Sequence, residues 1–213
     1  MNFSIVFSAN EPASLGTIVA NLAPHIFWGL LILVVTLLIG PTRIREALLH
    51  VRKVGFGGFE IELEGDIANA ARARKIDLPP QLSDQLARRA VRLGPIIAGA
   101  RLLWIDDVPA NNVNEIRLLN RLRITIDLAA SDIEARGCLA TAVYDLVISD
   151  IRRGSDGEAG KKFLPEVTRA MLEPPVIFYV GSDRDVPQGA FGLTTRPDTL
   201  LRLILDALER RRA

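Results

Sequence analysis

Two patterns of apolar positions divide the chain. Residues 18–39, IVANLAPHIFWGLLILVVTLLI, form one apolar run whose only ionisable side chain is His25. From Arg101 onward, short apolar runs alternate with segments whose apolar positions recur every three or four residues. That alternation is the signature of buried strands interleaved with amphipathic helices. RLLWID (101–106), ITIDLA (124–129), DLVIS (145–149), PVIFYV (175–180) and the shorter AFGLTT (190–195) read as five strands. The first helix between them is predicted from Asn111 or Asn112 as N-cap to about Leu122, with Val113, Ile116, Leu119 and Leu122 facing inward. Others are predicted over 131–142, behind Ser131-Asp132, over 158–171, and from Pro197 onward. In the last, Leu200, Leu201, Ile204, Leu205 and Leu208 share one face. Only residues 181–189 separate strands four and five, so the helix expected there shrinks to about a turn. These elements predict an α/β fold, a parallel sheet wrapped by helices.

Between the two patterned regions lies a connector, 41–100. PTRIREALLHVRKV reads as a helix with Pro41 at its start. In GFGGFEIELEG, Phe59, Ile61 and Leu63 alternate with Glu60, Glu62 and Glu64, which predicts a short half-buried strand over 58–64. A lone strand needs a partner, and a copy of itself in a homo-oligomer would serve. Helices are expected over 66–75 and 83–93, the second capped by Ser83, with DLPPQ between them. This region reads as a spacer or small subdomain.

Charge turns the first pattern into a topology. Glu11 is the only residue charged at neutral pH between Met1 and Thr42. A bilayer core needs about 20 mostly apolar residues in a helix, and this run is long enough. A secretory signal would open with a basic segment, absent here. Arg43, Arg45, Arg52 and Lys53 follow the run and no Lys or Arg precedes it. The positive-inside rule therefore predicts an extracytoplasmic N-terminus (1–17), a single transmembrane helix (18–40) in the inner or plasma membrane, and a cytoplasmic remainder. With 213 residues and a net charge of +1, the whole chain carries no footprint of nucleic-acid binding. The single cysteine, Cys138, falls in a predicted helix and reads as a small core filler. His50 lacks the surroundings of a phosphorylatable histidine and reads as interfacial.

The candidate chemistry sits at strand ends. Asp106-Asp107 close strand one and Asp150 closes strand three. In an open α/β sheet ligands bind beyond the carboxyl ends of the strands. In the order 2-1-3-4-5 those two strands are neighbours, so three carboxylates converge. A hard divalent cation such as Mg²⁺, which takes oxygen ligands, would offset their repulsion.

LLWIDDVPANN, YDLVISDI, SDGEAGKKFL, PPVIFYVGS and TTRPDTLLRLI resemble, in order, the successive blocks of the receiver (CheY-like) domain of two-component response regulators. The resemblance covers 101–213. It implies a five-stranded doubly wound sheet, flavodoxin/CheY-like in order 2-1-3-4-5. It also implies that Asp150 is the phosphoacceptor, attacking a phosphohistidine. Asp107, Asp150 and the backbone carbonyl of Arg152 would bind Mg²⁺ directly, and Asp106 would act through a water. Two positions depart from the family pattern. Val180 stands where a Thr or Ser hydroxyl contacts the phosphoryl group, with Ser182 two positions on. Arg196 replaces the usual Lys before the proline of loop five, and a planar fork is not a point ammonium.

Enzyme classes fare poorly. GSDGEAGKK has Ser155 where a phosphate loop needs glycine, and Lys162 after Lys161 where it needs Ser or Thr. A haloacid-dehalogenase-type phosphatase expects Asp-x-Asp, but Val108 occupies the third position. Two histidines and one cysteine exclude a His/Cys metal centre. The expected function is that of a membrane-anchored, non-enzymatic signalling protein, phosphorylated on Asp150 with Mg²⁺. It would act through contacts with a histidine kinase or another protein. The alternative is a phosphorylation-independent pseudo-receiver, a membrane-tethered interaction or oligomerisation module.

Overall fold

Five parallel strands build the sheet around which the rest is organised, in the order β2-β1-β3-β4-β5. They are β1 (Arg101–Ile105), β2 (Thr125–Ala129), β3 (Leu146–Ser149), β4 (Val176–Tyr179) and β5 (Gly192–Thr194). The computed structural model describes residues 27–28, 58–182 and 184–212. A division after Gly55 separates a first unit, of which only Phe27 and Trp28 are described, from a second, Phe56–Ala213, which holds everything below. The expected membrane span lies outside the described residues apart from those two, and among the described residues no helix is long and apolar enough to cross a membrane.

The order of the sheet and all five strands match the sequence pattern. The central strands are apolar on both faces because helices cover both. Leu102, Trp104, Leu146, Ile148, Ile177 and Tyr179 enter one buried cluster, while Leu103, Ile105, Val147 and Phe178 enter the other. Alternate residues of a strand point to opposite faces, so each strand feeds both cores.

Residues 58–73 form a helix, α1, where alternation predicted a strand over 58–64. The alternating triplet sits inside a longer repeat. Phe59, Leu63, Ile67, Ala70 and Ala71 recur at helical spacing and reach the core, whereas Ile61 is 71% exposed. Glu60, Glu62 and Glu64, favourable in a helix, face neighbouring elements. Glu60 lies 3.2 Å from Arg88, and Glu62 and Asp66 both pair with Arg121. The second helix, α2 (Pro80–Ile97), starts at Pro80, where a missing N–H costs nothing. Ser83 is therefore inside the helix rather than its cap, its hydroxyl donating to the Pro80 carbonyl at 2.8 Å.

Neither helix is a spacer in packing terms. Leu63, Ile67, Leu86, Ala87, Ala90, Leu93 and Ile97 share one core with β1, β3, β4, and two further helices, α3 (Val113–Arg121) and α6 (Pro197–Arg212). Arg89 of α2 pairs with Asp206 and Glu209 of α6 at 2.6 and 2.7 Å.

The opposite face is covered by α4 (Asp132–Thr141) and α5 (Ala159–Thr168), with half-buried Cys138 among the side chains packed there. Ser131 caps α4 as expected, accepting from the Glu134 amide at 3.2 Å. A 3₁₀ turn, Pro109–Asn112, precedes α3, and Leu118 and Leu119 rather than Val113 are its buried apolar residues. No helix is found between β4 and β5 among the described residues, so the reduction expected of the fourth helix is complete there.

Candidate functional site

Register sets the site. Ile105 of β1 stands opposite Ser149 of β3, and the Asp150 amide donates to the Ile105 carbonyl at 2.9 Å. Asp106 and Asp150 therefore leave adjacent strands at the same level.

Each carboxylate is held differently. Asp106 is nearly buried, and its Oδ1 accepts from the Val108 amide at 2.7 Å, an Asx turn that bends the chain off the strand. Its Oδ2 accepts from Asn112 Nδ2 at 2.7 Å. That contact explains why Asn112, at the head of α3, makes no capping bond to the helix. Asp107 is exposed and accepts from the Gly154 amide at 2.7 Å, joining the loop after β1 to the loop after β3. Gly154 has φ +54°, a left-handed conformation that suits glycine. Asp150 is half-buried, its Oδ1 accepting from the Ile151 amide at 2.7 Å.

Two arginines buttress this edge. Arg153 is almost wholly buried, donating to Ser149 Oγ at 2.8 Å and to the Asp150 carbonyl at 3.0 Å, and its far side meets Asp132 at the start of α4. Arg74, just past the end of α1, reaches in from the opposite face. Its Nη2 donates to Asn112 Oδ1 at 2.6 Å, its Nε to Glu115 at 3.2 Å, and its guanidinium lies 4.8 Å from the centre of the Tyr179 ring. Tyr179 in turn donates to buried Glu115 at 2.6 Å.

Clefts open on both sides of Asp150. One, about 310 Å³, is lined by Asp150, Arg152, Val180, Ser182 and Arg184 among others. The second, about 250 Å³, brings together Asp106, Asp107, Asp150, Asn112, Arg74 and Arg152. Half-burial pushes the Asp150 carboxyl above the ordinary carboxylate value. The Ile151 amide opposes that rise, the Asp106 charge adds to it, the Arg152 amide opposes, and Asp107 adds the last part. Burial likewise pushes the Tyr179 phenol up, with the charge of Glu115 next.

The residues singled out by sequence are thus only partly assembled. Asp106, Asp107, Asp150 and Arg152 line one cleft, and Ser182 lies across the other from Asp150. Val180 presents an apolar, buried side chain at the shared wall, with no hydroxyl to offer. Arg196 lines neither cleft, its guanidinium instead forking onto Asp198 at 3.2 and 3.3 Å. Asn112, Arg153 and Arg74 were missed as site residues. Asn112 looked like an ordinary cap, and nothing in ARARK distinguishes Arg74 from Arg72, whose side chain reaches only Asn69 among the described hydrogen bonds.

The donor chemistry fits a hard cation: carboxylate oxygens and a backbone carbonyl. The rise in the Asp150 pKa caused by Asp106 and Asp107 is repulsion that a cation would relieve. Among the described residues, no three His, Cys, Asp or Glu side chains are yet gathered closely enough to enclose one. Asp107 is engaged by the Gly154 amide instead.

No protein-family model matches the chain, and no curated protein matches it. Solved structures do. A CheY-like receiver domain protein from Methanospirillum hungatei JF-1 is 19% identical, with 54% of this chain and 97% of that one covered at a TM-score of 0.47. The response regulator TrrA of Thermotoga maritima, in complex with Mg²⁺ and BeF, is 22% identical over 51% of this chain and 98% of its own, TM-score 0.45. A signal receiver domain of an HD domain-containing protein from Pseudomonas fluorescens Pf-5 is 22% identical, covering 53% and 97%, TM-score 0.46.

Proposed function

We propose that the chain is a receiver-like signalling protein that takes a phosphoryl group on Asp150 and passes the signal on by protein contact. The observation that carries this reading is the level placement of Asp106 and Asp150 at the ends of paired strands β1 and β3. The half-buried Asp150 carboxylate stands between two clefts that admit a small phosphodonor. In the step proposed, an Asp150 oxygen forms a bond to phosphorus as the bond to the donor's imidazole nitrogen breaks, and the imidazole leaves with its electron pair.

Mg²⁺ held by Asp107, Asp150 and the Arg152 carbonyl, with Asp106 behind a water, would neutralise phosphoryl oxygens. The chain's own residues do the rest. The Ile151 amide orients the Asp150 carboxylate, and Arg153 pins the carbonyl behind it. Arg152 and Arg184 bring positive charge to the cleft wall. The donor would be a histidine kinase. The apolar run at 18–39 and the basic residues after it support a site held at the cytoplasmic face of a membrane.

Val180 and the engagement of Arg196 by Asp198 favour a second reading, a pseudo-receiver that binds its partner without phosphorylation. One experiment separates them. Full-length protein in detergent is incubated with Mg²⁺ and acetyl phosphate, then weighed intact beside Asp150→Ala. A single adduct on the parent and none on the variant is the expected result. A folded parent that takes no adduct would leave the pseudo-receiver.

A further inference from the structure

The proposed site borrows a residue from outside the five-stranded layer. Arg74 belongs to the turn after α1, yet its guanidinium lies on three parts of the site's support at once. Nη2 grips the carbonyl oxygen of the Asn112 side chain at 2.6 Å, and the amide nitrogen of that same side chain donates to Asp106 at 2.7 Å. A primary amide whose oxygen is held by a cation is a stronger N–H donor and has a fixed orientation. Meanwhile Nε pairs with Glu115, and the planar group covers Tyr179, the residue before Val180.

We infer that Arg74 is a positioning residue of the site: through Asn112 it fixes the Asp106 carboxylate, so that the acidic edge is complete only when α1 is docked. This rests on the proposed function, in which Asp106 belongs to the ion-binding set. It also assigns α1 a duty that helices of the α/β layer cannot perform, because Arg74 approaches from the added helical segment. Lysine would be a poor substitute, since a point charge cannot hold the Asn112 oxygen and Glu115 together while lying flat on Tyr179.

The test compares the full-length parent with Arg74→Gln, Arg74→Lys, Asn112→Ala and the Arg74→Gln/Asn112→Ala pair, using Arg72→Gln as the control on α1. Mn²⁺ titration followed by electron paramagnetic resonance reads ion binding. Hydrogen exchange over 107–112 reads the Asp106 turn, in which the Val108 amide is bonded to Asp106. The expected result is a roughly tenfold loss of Mn²⁺ affinity in Arg74→Gln and Asn112→Ala, the usual scale for residues that orient ligands. The double variant should be no worse than either single one, as for two links of one chain. Exchange over 107–112 should quicken in all of them, least in Arg74→Lys, while Arg72→Gln matches the parent. Because Glu115 loses its cation in the Arg74 variants, Asn112→Ala is the check that unfolding is not the cause. Parent-like affinity and exchange in both single variants would overturn the inference. Should the parent itself bind no Mn²⁺, the ion-binding part of the proposed function fails, and exchange over 107–112 alone decides the role of Arg74.

Discussion

A methyl group on Gly160 would stand 2.3 Å from the Asp150 carbonyl oxygen and 2.9 Å from the Ile151 Cα, both backbone atoms. The Gly160 amide already donates to the Ile151 carbonyl at 2.8 Å, so the first turn of α5 is laid directly on the loop that carries the candidate nucleophile. In the sequence this glycine drew notice only as one position of the SDGEAGKKFL block and of a segment that does not match a phosphate loop. Its reason is close approach of two backbones, which no local pattern announces. Gly160→Ala should therefore cost about 1–3 kcal/mol in urea unfolding, the range for overpacking a tight contact. It should also lower phosphoryl uptake at Asp150, because the cheapest relief is to push the Asp150 loop away. Unchanged uptake with unchanged stability would mean that the loop yields freely.

At the scale of elements, the sheet was legible and the added helices were legible in part: the helices expected over 66–75 and 83–93 fall largely within α1 and α2, but the first turns of α1 read as a strand. Strands buried on both faces leave short apolar runs whose length and flanking residues mark them, which is why β1, β3 and β4 were read within a residue or two. The pair Asp106 and Asp150 was legible for the same reason, as charges terminating such runs. The start of α1 was misread because Phe59 and Leu63, four apart, fit both periods, and Ile61 between them suggests alternation until Ile67 and Ala70 are counted. What α1 and α2 pack against could not be read at all, since their stripes would suit any apolar surface. Their share of the core gives a direct measurement. Leu93→Ala, on the buried stripe of α2, should lower stability by roughly 2–5 kcal/mol in chemical denaturation. A fragment starting at residue 101 should unfold at lower denaturant still, or aggregate, because it uncovers Leu102, Trp104 and the buried face of α6. Equal stability of fragment and parent would show that α1 and α2 merely rest on the domain.

For the whole molecule, the sharpest contrast is between a nearly uncharged first forty residues and a richly charged remainder. If the 18–40 run anchors the chain as proposed, the expressed protein should stay with the membrane pellet after alkaline carbonate washing and be released by detergent. Release by carbonate alone would sink the anchor. Protease added from the outer side should remove a tag placed before Met1 and spare residues 58–212, the orientation the basic flank demands.

The pairing of α2 with α6 has a further consequence, for how the chain is made. Arg89 and Glu209 lie 120 positions apart, so the contact closes nearly the whole domain into one loop. As the chain leaves the ribosome, Leu86, Leu93 and Ile97 emerge a hundred residues or more before α6, which shares their core. High contact order of this kind slows folding and leaves early segments exposed to aggregation. The apolar stripe of α2 therefore stays uncovered until α6, far along the chain, has been made.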